Sequence, residues 1–265
     1  MSNLWKRTTA VFIILFAFNQ TAPGQSLRAG AARGAQAKES GAQAKEPFDE
    51  VENLLDHYMV ALGGLALFKI RTRVVRGRVE MSESPLPGTF EVFEKMPGKS
   101  IMVVNAPSGQ FLAASDGDRR WLQTPWGSTK TVAAVGGIKL LEQAASGKGF
   151  KWRNAFSSAS LKGRAVVEGH ETIVLAATPR DGKPLIIYFD AKTFLLRKIE
   201  LARPAADGTN HVKAAYFDSY ATVDGVKVPA VIRQVYVDYT MTFRATEVKH
   251  NVPINDALFA TPKGK

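Results

Sequence analysis

The side chains that most often carry chemistry are sparse and scattered in this chain. Its four histidines are His57, His170, His211 and His250, and none stands at metal-ligand spacing from another. Cysteine is absent, which removes thiol catalysis, Cys-ligated zinc, haem attachment through Cys-x-x-Cys-His and every disulfide. The serines of Ser157-Ser158-Ala159-Ser160 and Ala114-Ser115-Asp116-Gly117 do not form the Gly-x-Ser-x-Gly elbow that presents a nucleophile between strand and helix. Asp116-Gly117-Asp118 begins like a calcium loop but lacks the later oxygen ligands and the closing Glu. Gly136-Gly137 and Gly147-Lys148-Gly149 complete neither a P-loop nor a dinucleotide fingerprint. These residues point away from an enzyme, and neither a metal nor a cofactor is expected.

What the chain has in excess is apolar and aromatic side chains in strand-like segments. Trp121, Trp126, Phe150, Trp152 and Phe156 flank a stretch where the strand pattern breaks. The chemistry open to such residues is the burial of hydrocarbon, at ~0.8 kcal/mol per methylene.

The elements that would position them follow from periodicity. Val51, Leu54, Leu55, Tyr58, Met59 and Leu62 fall at helical spacing. Asp49, Glu50, Glu52 and Asp56 suit the positive start of that helix, and Gly63-Gly64 can take the left-handed conformation that ends it. A short helical turn through Leu65 to Lys69 follows. From Ile70 the period becomes two: Val75, Gly77, Val79 and Met81 alternate with Arg76, Arg78 and Glu80. Turns are expected at Pro85-Leu86-Pro87-Gly88, Met96-Pro97-Gly98-Lys99, Pro107-Ser108-Gly109, Asp116-Gly117, Glu168-Gly169-His170, Arg180-Asp181-Gly182, Asp190-Ala191-Lys192-Thr193, Ala206-Asp207-Gly208 and Val223-Asp224-Gly225. Strands joined by turns this short are antiparallel neighbours. Between about Val132 and Gly149 the pattern fits one or two short helices.

The expected fold is therefore mainly β (α+β). It is a half-open antiparallel barrel of about ten or eleven strands, with an N-terminal helix and a helical lid insertion. A sheet of this size must curl to hide its apolar face and limit its edges, and the curl encloses an apolar cavity. Val79, Phe90, Val92, Trp121, Trp126, Ile138, Leu141 and Phe243 are the residues expected to line it.

The first two dozen residues have the layout of an export signal. Lys6 and Arg7 precede the apolar run Ala10 to Phe18, and Ala22-Pro23-Gly24 supplies small residues for cleavage after Gly24. The run is about half the ~20 residues that span a bilayer. Residues 25–46 contain the tandem Gly34-Ala35-Gln36-Ala37-Lys38-Glu39-Ser40 and Gly41-Ala42-Gln43-Ala44-Lys45-Glu46-Pro47, and read as a flexible linker. The folded domain then runs from 47 to 265. A formal charge of +11 would suit nucleic acid, anionic lipid or an acidic partner. Export and the scatter of the basic residues weigh against nucleic acid. Among Arg71, Arg73, Arg76 and Arg78, the first two share one strand parity and the last two the other, so they form no single stripe.

From about Val51 to Pro262 the chain resembles the LolA/LolB family of periplasmic lipoprotein carriers, in its broader LolA-like form. The resemblance rests on Ala61-Leu62-Gly63-Gly64 closing the helix and Phe93-Glu94-Lys95-Met96-Pro97-Gly98-Lys99 entering a proline turn. It also rests on Asp116-Gly117 before Trp121, Tyr188-Phe189-Asp190 before Thr193 and Leu196, Asp224-Gly225-Val226-Lys227-Val228-Pro229, and Asn251-Val252-Pro253-Ile254-Asn255-Asp256-Ala257-Leu258-Phe259 before Pro262. It implies a half-open barrel covered by helices and holding the acyl chains of a lipid or lipoprotein. It further implies a periplasmic location, an inner-membrane transporter that supplies cargo and an outer-membrane receptor that takes it. There is no lipobox cysteine for an anchored receptor, and the arginine that holds the family's lid has only Arg71, Arg73, Arg76 and Arg78 as candidates. The expected function is a monomeric, non-enzymatic periplasmic carrier of lipids or lipoprotein acyl chains. The alternative is an envelope sensor or scaffold module that binds another envelope protein.

Overall fold

A computed structural model describes residues 47–96, 98–117, 119–125, 129–133, 156–180, 184–201 and 214–260. The expected leader (1–24), the expected linker (25–46) and all but the first residues of the expected helical insertion (about Val132 to Gly149) fall outside them; Val132 and Ala133 end a strand instead.

Helix α1 (Pro47–Leu62) carries Asp49 and Glu50 in its first turn and buries Val51, Leu54 and Leu55 along one face. It stops where the sequence provides two glycines: Gly63 has φ 135° and Gly64 φ 53°, values that cost a residue with a Cβ. Gly63 is required a second time by packing, because a Cβ there would lie 2.6 Å from the carbonyl oxygen of Gly225. A 3-10 helix, Gly64–Lys69, leads into the sheet.

The strands are β1 (Thr72–Met81), β2 (Ser84–Lys95), β3 (Lys99–Ala106), β4 (Gly109–Asp116), β5 (Arg119–Gln123) and β6 (Thr129–Ala133). They continue with β7 (Phe156–Val167), β8 (His170–Pro179), β9 (Leu185–Asp190), β10 (Leu196–Leu201), β11 (Ala214–Val223), β12 (Val226–Val235) and β13 (Thr240–His250). All thirteen form one antiparallel sheet in the order β6-β5-β4-β3-β2-β1-β13-β12-β11-β10-β9-β8-β7. Two meanders are thus stitched together by their first and last strands, and β6 and β7 end the order without pairing to each other. The result is the half-open antiparallel barrel with an N-terminal helix that the periodicity predicts. The strand count rises above ten or eleven because β6 follows the expected strand at Trp121, and because an unforeseen reversal at Tyr236–Tyr239 divides the last stretch into β12 and β13.

One expected turn lies elsewhere. The chain reverses at Ser82-Glu83, and Pro85 to Gly88 belong to β2. Pairing with β3 begins only at Thr89, opposite Asn105, and pairing with β1 shifts register between Val79 and Met81. That stretch of β2 is locally an edge with a bulge, where prolines without an N–H are tolerated.

Register separates two faces. On the inner face Val79 pairs with Phe243, Gly77 with Phe90, Val75 with Val92, and Val92 with Met102. Apart from Gly77, these residues belong with Val51, Leu54 and Leu55 of α1 to the main hydrophobic core. The outer face of β3–β5 carries a second cluster of Ile101, Ala114, Trp121 and Phe259. The chain after β13 builds that cluster. The Asn251 amide donates to Thr72 O at 2.8 Å, its Oδ1 accepts from the Arg71 amide at 2.8 Å, and Thr72 Oγ1 donates to Val252 O at 2.6 Å. A 3-10 turn, Asp256–Phe259, capped by Asn255, then drives Phe259 under the strands.

Phe259→Ala empties this outer cluster and is expected to cost about 3–5 kcal/mol, lowering the thermal midpoint by roughly 10 °C in a calorimetric melt. Gly77→Ala would place a Cβ 2.0 Å from the Arg244 carbonyl oxygen and 2.6 Å from the Phe90 ring. Its midpoint should fall by a similar margin, whereas Gly169→Ala, with open space at its Cβ, should lose only the ~1 kcal/mol of left-handed strain.

Candidate ligand-binding face

The inner face gathers part of the expected set. Val79, Phe90, Val92 and Phe243 are all buried in one cluster, with the Phe90 and Phe243 rings edge to face at 5.4 Å. This follows from strand parity, since β1 turns Val75, Val79 and Met81 to one side and β13 answers with Phe243 and Met241. Trp121 does not join them. It pairs with Ala114, which pairs with Ile101, and that chain of partners lies on the outer face beneath Phe259. Its alternation was readable within β5, but the turn after Asp116 decides which parity faces inward. Trp126, Ile138 and Leu141 lie outside the described residues.

Helix α1 packs chiefly against β7 and β12. Its aromatic contacts reach the inner ends of the neighbouring strands: Tyr58 meets Phe189 edge to face at 5.3 Å, and His57 stacks on Phe194 at 4.6 Å. Burial pushes the Tyr58 hydroxyl up to about 12, against the opposing pull of Arg73. Among the described residues, hydrogen-bonding groups on this face lie at its two ends. At the β12–β13 hairpin, Tyr236 donates to buried Gln234 at 2.8 Å and stacks on Tyr239 at 4.5 Å.

At the opposite end the arginines divide as their parity requires. Arg73 points inward and donates from Nε to Glu94 at 2.5 Å. Arg76 points outward, bonding Glu91 at 2.5 Å and Glu247 at 2.6 Å, with Phe93 beneath its guanidinium. Cross-strand opposite charges of this kind pin register on an exposed face. Arg71 and Arg78 are exposed. Beside Arg73 lies His250, whose side chain is 1% exposed and whose Nδ1 is 3.1 Å from Asp224 Oδ2. Burial, then the nearby Arg73 charge, hold its imidazole below the usual histidine range, with Asp224 pulling the other way. The parity of Arg73 with Val75 was visible in the sequence. Its neighbours Glu94 and His250 were not, because they come from other strands.

Among the described residues no group of three or more His, Cys, Asp or Glu side chains could hold a metal ion. Nor is any described helix long and apolar enough to cross a membrane.

No family model matches the chain, and no curated protein matches it. Solved structures do. A DUF1329 family protein from Desulfovibrio piger shares 15% identity, with a TM-score of 0.54 over 82% of this chain and 98% of that one. A domain described as an outer membrane lipoprotein-sorting protein, from Vibrio parahaemolyticus, shares 12% identity, with a TM-score of 0.50 over 78% and 94%. A LolA superfamily protein from Nitrosomonas europaea aligns at 15% identity and a TM-score of 0.47, over 77% and 97%. At these identities the likeness is one of fold, shared with the first two of these proteins.

The His250 environment sets a pH dependence. Its folded-state titration lies below the unfolded value of about 6.5, so between the two the unfolded chain binds more protons and stability rises with pH. Stability should be fully present above pH ~6.5 and decline as pH falls through the depressed value. Thermal melts from pH 8 to 5 should show this decline, and His250→Asn, which keeps a donor toward Asp224, should flatten it.

Proposed function

We propose that this LolA-like protein is a periplasmic carrier, or binding protein, for lipids or lipoprotein acyl chains, which it holds against the inner face of its half-open barrel. One observation carries the reading: an apolar face built from both meanders, whose hydrogen-bonding groups among the described residues lie at its two ends, in a sheet whose edge strands β6 and β7 do not pair. An acyl chain asks for little else. Sixteen buried carbons would supply roughly 13 kcal/mol gross, so release would require a competing membrane or receptor. The leader-like first 24 residues fit an envelope location, and an inner-membrane donor and an outer-membrane acceptor are the partners such a carrier would need. Binding of this kind involves no bond making, consistent with a protein that acts without catalysis.

Uptake of a fluorescent fatty acid tests the reading. Wild-type protein should show saturable binding that unlabelled palmitate competes away. Met81→Trp, which enlarges a half-buried residue at the rim of the inner face, should weaken it roughly tenfold, or ~1.4 kcal/mol, at an unchanged circular dichroism spectrum. Absence of saturable uptake would count against the carrier reading.

A further inference from the structure

Antiparallel alternation gathers the β2–β3, β4–β5, β7–β8, β9–β10 and β11–β12 turns at one end of the barrel. The junction between α1 and β1 joins them, because Gly63 packs on the Gly225 carbonyl of the β11–β12 turn. Among the described residues the three most exposed large apolar side chains all belong to this end: Leu65 at 79%, and Val60 and Val166 at 72% each. Single exposed apolar residues are ordinary on a protein surface. Their collection at one end marks an interaction surface.

The fold presents these side chains on fixed elements. Val60 stands on the face of α1 opposite buried Val51. The Gly63 amide donates to Val60 O at 3.0 Å, and the positive φ angles of Gly63 and Gly64 turn the chain sharply before Leu65. Ala66 lies against Gly225, and its neighbour Leu65 faces solvent. No atom lies within 4 Å of where a Cβ would stand on Gly64, or on Gly169 beside the end of β7, so both tips project. Isolated projecting residues do not make the continuous apolar centre of a protein–protein interface.

Charge at this end is unbalanced. Lys69, Arg71 and Lys192 are exposed and Lys227 is half-buried, and none of these four side chains has an acid partner among the described residues. Acids of the same end are engaged elsewhere: Asp190 by Arg197, Glu168 by Arg233, Glu94 by Arg73, and Asp256 by both Lys95 and Lys99. Asp224 faces His250. A partner must therefore be anionic and must take up separate aliphatic side chains without shaped pockets. An anionic bilayer does both, since its interface admits apolar side chains and its surface attracts nearby Lys and Arg.

We propose that this end of the barrel is a membrane-docking surface, which seats Leu65 and Val60 in the interface of an anionic bilayer and sets Lys69, Arg71, Lys192 and Lys227 against its head groups. The docking stands on surface residues alone, so it goes beyond the acyl-binding reading and does not depend on it.

Vesicles of phosphatidylglycerol with phosphatidylethanolamine, against vesicles of phosphatidylcholine alone, provide the test. Wild-type protein should sediment with the first and be released as salt rises toward about 0.5 M. It should bind the second at least roughly tenfold more weakly. Leu65→Ser combined with Val60→Ser should weaken binding to the anionic vesicles roughly tenfold, and Lys69→Gln roughly fivefold. Thermal midpoints should not move, because these side chains are exposed. Comparing variants of one chain cancels any contribution of the N-terminal segment. The chain has no cysteine, so Leu65→Cys takes a single environment-sensitive dye. That dye should brighten on the anionic vesicles, while the same dye on Glu83→Cys, in the β1–β2 turn at the opposite end, should not. Equal responses at both positions, or sedimentation indifferent to the Leu65 and Lys69 changes, would overturn the docking surface. Self-association abolished by Leu65→Ser would also overturn it, assigning the tip to a second copy. Fatty-acid uptake without vesicle binding would overturn the docking and leave the carrier reading standing.

Discussion

The pairing of β1 with β13 is the contact on which the rest of this molecule depends. It joins residues some 171 positions apart, as in the Arg76–Glu247 ion pair, and converts two local meanders into one sheet. Such non-local pairing is entropically costly to form, and the chain supports it with several independent devices. Gly77 allows the backbone of β13 to approach past the bulge near Thr246, and Glu91, Arg76 and Glu247 form a ladder across three strands on the outer face. The strap from Asn251 to Phe259 closes over the same region from outside. With β1 and β13 central, the edges fall at β6 and β7, and the apolar faces of both meanders meet inside.

The two faces then acquire different tasks. Outside, opposite charges and cation–π contacts run across neighbouring strands: Lys198 lies between the Tyr188 and Tyr216 rings, and Arg233 stacks on Tyr216 while bonding Asp218 and Glu168. Buried Asp190 is likewise occupied, accepting from the amides of Lys192 and Thr193 and from Arg197. These groups are satisfied by one another and fix register. Inside, the side chains are mostly aliphatic and aromatic, and the unsatisfied polar atoms lie at the ends of the face. A surface arranged in this way suits a ligand with a long apolar body and a small polar end.

Much of this was legible locally. The helix from Val51 to Leu62, its double-glycine stop, and the turns at Asp116-Gly117, Glu168-Gly169, Asp190–Thr193 and Asp224-Gly225 all follow from side-chain spacing and from residues that tolerate positive φ, including Asp224 at 49°. Alternation within β1 and β2 placed Val79, Phe90 and Val92 together. What local pattern could not carry was the choice of face after a turn, which sent Trp121 outward, or the bulge that let Pro85 and Pro87 into a strand. The grouping of Arg73, Glu94 and His250 was invisible for a related reason. They come from three strands, and only the assembled register aligns them.

Occupancy of the inner face by acyl chains is tested most directly by lipid mass spectrometry on protein purified gently from its own cells. It predicts acyl lipid in near-equimolar amount, released by solvent extraction. Protein recovered without lipid, which also fails to acquire any from membranes mixed with it, would contradict it.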